Sequence, residues 1–96
     1  MKAEELEIFR MAILRVLDSN RTRFGLGLPA IAVHLVRFGF VTGTFGSEKD
    51  FSSAIADELQ YLGDKGFVEE ALKLVSRENR AWRITAAGIA LLDQRG

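Results

Sequence analysis

Apolar positions recur along this chain at two periods, and the change from one to the other divides it. Leu6, Phe9, Ile13, Val16 and Leu17 fall on one arc at helical spacing, which predicts an amphipathic helix from Ala3 to Asp18. Ser19-Asn20 breaks it, and Arg21 to Leu28 reads as a short link rich in Gly and Arg. Pro29 suits the first turn of a second helix, where its missing N–H removes no bond. Ile31, Leu35 and Phe38 form that helix's stripe, and Gly39 is placed for a left-handed C-cap. Phe40 to Gly46 reads as a loop or short extended piece. Ser47 then N-caps a third helix, with Glu48 and Asp50 in its first turn, where carboxylates suit the helix dipole. Ser-x-x-Asp is a weaker form of the capping box. Phe51, Ile55, Leu59 and Leu62 are its apolar stripe, ending near Gly63 or Gly66.

Beyond that point the period is two. Leu72, Leu74 and Ser76 alternate with Lys73, Val75 and Arg77, and Trp82 and Ile84 answer them after a polar turn. This predicts a β-hairpin with Glu78-Asn79 near its tip, followed by a short helix from Thr85 through Leu92. The expected fold class is mainly α with a small β-hairpin (α+β), in the order helix, helix, helix, hairpin, helix. Residues 1–96 are expected to form a single domain, because this length rarely supports two cores.

Composition narrows the class. The 48% apolar content is too high for a disordered chain. Cysteine is absent, which excludes disulfides and thiolate metal sites and fits a reducing compartment. MKAEELEIFR is acidic and amphipathic, unlike a signal peptide. No apolar run approaches the roughly 20 residues of a membrane helix. A cytoplasmic protein without a membrane partner is expected. With 13 basic and 13 acidic residues the formal net charge is zero. That total argues against nucleic acid until the charges are placed. By segment they are −1 over residues 1–20, +3 over 21–40, −5 over 41–70 and +3 over 71–96. Neutrality is therefore a cancellation between an acidic third-helix segment and basic linker and hairpin segments, and a local phosphate-binding surface remains open.

The element order, together with LQYLGDKGFVEE (Leu59 to Glu70) and AWRITAAGIALL (Ala81 to Leu92), resembles the winged helix-turn-helix regulators of the MarR, PadR and ArsR types. The matching positions are Leu59, Leu62, Gly66, Phe67 and Val68, then Ile84, Thr85 and Gly88. Leu59 and Leu62 would anchor the third helix, and Gly66 would permit the positive-φ turn into the first wing strand. Thr85 would cap the last helix and Gly88 would let it pack closely. Leu6 to Leu17 is also similar to the opening of small winged-helix proteins of Mu-like phages and prophages.

The resemblance implies a double-stranded DNA-binding transcriptional regulator, with the third helix (about 47–63) in the major groove and the wing (about 71–85) on the backbone. On the helical wheel the outward arc holds Lys49, Ser53, Ala56, Asp57, Gln60 and Asp64. Lys49, Ser53 and Gln60 are the candidate DNA contacts there, Gln being suited to adenine. Asp57 and Asp64 fit phosphate poorly, so plain solvent exposure is the alternative. On the wing the candidates are Arg77, Asn79, Arg80 and Arg83; the three guanidiniums would clamp phosphates or merely protect a strand edge. Arg21 and Arg23 precede the second helix and would extend the same surface.

Other residues point away from catalysis. His34 has no second ligand at useful spacing and reads as a packing residue, GTFG lacks the Lys-Ser/Thr of a phosphate loop, and no nucleophile triad or strong carboxylate pair occurs. No enzyme activity, metal or cofactor is expected. Ile8, Met11 and Leu14 lie outside the first helix's core stripe and are candidate dimer contacts, since regulators of this shape commonly dimerise through terminal helices. The rival function is a winged helix that recognises a protein partner and no DNA.

Overall fold

A computed structural model describes residues 2–21, 24–40, 45–71 and 81–95. The elements run α1 (Ala3–Ser19), β1 (Leu26–Gly27), α2 (Leu28–Arg37), α3 (Glu48–Asp64), β2 (Val68–Glu70), β3 (Ala81–Ile84) and α4 (Ala86–Arg95). The architecture is mainly helical with a small antiparallel sheet of order β1-β3-β2. β1 was not foreseen: Leu26 and Gly27 pair with Trp82 and Ala81, which fastens the start of α2 to β3. A two-residue strand carries no detectable alternation, so its only advance sign was a glycine-rich link. The first hairpin strand also begins earlier than its alternation suggested, at Val68, with Val68 opposite Ile84 and Glu70 opposite Trp82. The expected tip, with Glu78-Asn79, and the alternating Leu72 to Arg77 lie outside the described residues.

Helix ends follow the local chemistry. Ser47 Oγ accepts the Asp50 N–H at 3.1 Å and donates to Asp50 Oδ2 at 3.0 Å, starting α3. α3 ends in a Schellman turn. Gly66 N–H donates to Gly63 O and Phe67 N–H to Leu62 O, with Gly66 at φ 81°. α2 closes the same way through Gly39 and Phe40.

One core joins these elements. Phe9, Ile13, Leu14, Val16 and Leu17 of α1 meet Ile31 and Leu35 of α2, Phe51, Ile55, Leu59 and Leu62 of α3, and Val68, Trp82 and Ile84 of the sheet. Leu6, expected in the inward stripe of α1, is only half-buried and does not belong to this cluster. Phe9 is the hub between helices, with ring centroids 5.4 Å from Phe40, 5.1 Å from Phe45 and 6.4 Å from Phe51. Those three aromatics bracket the connection from α2 to α3, so the packing of Phe9 sets how the two helices meet.

Candidate functional site

The sequence directs attention to the outer arc of α3 and to the hairpin beside it. Phe51, Ile55, Leu59 and Leu62 bury one side of α3, and Lys49, Ser53, Ala56, Asp57, Gln60 and Asp64 on the other side are all exposed. The wheel therefore predicted this arc's orientation correctly. Its charge is lopsided: α3 carries one basic residue, Lys49, against Glu48, Asp50, Asp57, Glu58 and Asp64. Gln60 Nε2 donates to Asp64 Oδ1 at 3.1 Å, so its amide is partly engaged along the helix. Glu58 is drawn aside into an ion pair with Arg10 of α1, and that guanidinium stacks on Tyr61 at 3.7 Å from the ring centroid.

The Thr85 side chain ties the end of β3 to the end of α3. Thr85 Oγ1 accepts the Gly88 N–H at 3.2 Å, capping α4, and donates to Gly66 O at 2.6 Å. The Thr85 N–H adds a backbone bond to Phe67 O at 3.0 Å. Gly88 is needed where it stands: a Cβ would press on Phe67 O and come within 2.6 Å of Ile84 Cγ1. Trp82 lies inward, with one ring edge 3.3 Å from where a Cβ on Gly63 would sit. This second close approach accounts for a glycine inside α3, at a position where the local pattern indicates only a possible helix end.

Arg83 points outward from β3, as the alternation predicts, but it has a partner. Its Nε donates to Glu69 Oε1 at 2.7 Å, directly across the strands, with both side chains about half exposed. β3 is the central strand of the sheet, so Arg83 does not stand on an outer strand, and any phosphate contact there competes with Glu69. Arg77, Asn79 and Arg80 lie outside the described residues, as does Arg23. Arg21 Nε donates to Asp18 Oδ1 at 2.9 Å, just past the end of α1.

The surface of α1 differs from expectation. Leu14, assigned to an outer dimer surface with Ile8 and Met11, is fully buried and shares a cleft with Leu62, Phe67 and Leu91. α1 packs against α2, α3, α4 and β3, so it buries a wider arc than a single-stripe wheel allows. Ile8 remains 61% exposed and Met11 half-buried. Phe38, expected in the inward stripe of α2, is 55% exposed instead. α2 ends at Arg37, and the turn at Gly39 brings Phe40 rather than Phe38 against Phe9. Ile8, Met11, Ala12, Phe38 and Phe40 consequently line an apolar groove of about 520 Å³, rimmed by Glu4, Glu7 and Arg15.

His34 is half-buried in α2, and among the described residues no group of three His, Asp or Glu side chains is arranged to hold a metal ion. Nor, among the described residues, is any helix long and apolar enough to cross a membrane. The chain matches no family model, no curated protein and no solved structure.

Proposed function

We propose that the chain is a winged helix-turn-helix protein that binds double-stranded DNA in the cytoplasm and regulates transcription. The observation that carries this reading is the α2–α3 pair with the outer arc of α3 open from Lys49 to Asp64, and a β-hairpin held at the end of α3 through Thr85 and Gly66. A helix whose whole outward arc is free can enter a major groove, and a hairpin anchored beside it reaches the neighbouring backbone. Lys49, Ser53 and Gln60 then face base edges and phosphates, while the segment about 71–85, with Arg77, Asn79, Arg80 and Arg83, supplies the backbone contacts.

The acidity of α3 shifts the electrostatic work to the hairpin. Titration of labelled random duplex tests this at two salt concentrations. Three phosphate contacts lower affinity about 40-fold between about 50 and 200 mM salt. Arg77→Ala with Arg80→Ala removes two of them and leaves a drop of only about fourfold. An unchanged salt slope in that double variant removes the hairpin from the mechanism. Absence of binding even at about 50 mM salt overturns the DNA reading. It would favour recognition of a basic protein surface by α3, a second reading supported by that helix's excess of carboxylates.

A further inference from the structure

The groove on α1 has a feature that no DNA contact requires. Glu4, Ile8, Met11 and Arg15 all line it and lie four, three and four residues apart, so they form one seam along a single face of the helix. Read from the N-terminus, the seam is acidic, apolar, apolar, basic. Reversed and changed in charge sign, it is the same seam. A second copy laid antiparallel therefore sets Glu4 against Arg15 and Ile8 against Met11, twice over by symmetry. A parallel copy would set Glu4 on Glu4 and Arg15 on Arg15. Phe38, 55% exposed, forms the second wall of the groove, where a partner helix would cover it.

We propose that this chain forms a two-fold homodimer through the α1 groove, with the two α1 helices antiparallel and Glu4 of each copy paired with Arg15 of the other. The occupant is identified by charge complementarity of the seam with itself, which an isologous interface demands. No residue of the groove belongs to the outward arc of α3. The contact is one helix face and one aromatic edge per copy, smaller than the roughly 800 Å² per partner of a standard stable interface, so association is weak.

Sedimentation of the whole chain from about 1 to about 300 µM covers the range expected for such a small interface. A monomer–dimer equilibrium is expected. Ile8→Lys should abolish it while leaving the far-UV circular dichroism unchanged, because Ile8 is mostly solvated in the monomer. Glu4→Lys alone and Arg15→Glu alone each create two like-charge contacts and should weaken dimerisation about tenfold. The double variant Glu4→Lys with Arg15→Glu restores opposite charges and should return to within about threefold of the parent. A chain that stays monomeric throughout overturns the proposal. So does a dimer indifferent to Ile8→Lys, or one in which the double charge reversal fails to rescue the singles.

Discussion

Replacing Thr85 by alanine removes the hydroxyl that links the end of α3, the hairpin and α4. The hydroxyl serves as N-cap of α4 through the Gly88 N–H and as donor to Gly66 O. Loss of a Thr cap costs about 1 kcal/mol. A lost neutral hydrogen bond costs about another 1 kcal/mol when its partner is left dry. Gly66 is exposed, so water can replace the hydroxyl at its carbonyl, and we assign about half that amount. Thr85→Ala should therefore destabilise the fold by about 1.5 kcal/mol. In urea, with a slope of about 1.5 kcal/mol/M, the midpoint falls by about 1 M. The thermal midpoint falls by about 8 °C for a domain of this size. Thr85→Ser keeps both hydrogen bonds and should lie within about 0.5 kcal/mol of the parent. Chemical denaturation of the three proteins, followed by far-UV circular dichroism and with slopes compared, measures the difference. Equal midpoints for the alanine and serine variants would refute the bridging role of the hydroxyl.

Two further outcomes follow from the packing and the hairpin. Leu14→Ala empties a fully buried site and should cost about 3 kcal/mol, whereas Ile8→Ala, one helical turn and a half away on an exposed face, should change unfolding free energy by less than about 0.5 kcal/mol. Similar losses for both would mean that the two residues have been assigned to the wrong environments. A double-mutant cycle of Glu69→Ala and Arg83→Ala should give a coupling of about 0.5 kcal/mol that disappears near 1 M salt, as for an exposed cross-strand pair. Zero coupling at low salt would argue against the ion pair in solution.

The main helices and their ends were legible because they depend on neighbours in sequence. The Ser47 cap, the positive-φ turns at Gly39 and Gly66, and the buried stripe Phe51, Ile55, Leu59 and Leu62 each follow from spacing of a few residues. The outward arc of α3 followed from the same periodicity. Periodicity fails where several elements converge on one helix. Leu14 looked peripheral on a wheel, yet it is covered from the side of α3 and α4, and no local pattern reports how many partners a helix has. Phe40, read as the start of a loop, takes the inward place expected of Phe38 for a similar reason, since the residue after the turn at Gly39 reaches Phe9.

The charge distribution was readable in advance as segments, but not as pairs. That residues 41–70 are acidic and 71–96 basic is visible in the chain. That Arg83 is held by Glu69, and Arg10 by Glu58, follows only from strand register and helix packing. Short-range chemistry thus wrote the helices, the ends at Ser47, Gly39 and Gly66, and the face that α3 turns to solvent. The pairing of β1 with β3, the burial of Leu14 and the seam left open on α1 arise from contacts between residues distant in sequence, where each position's environment depends on all the others.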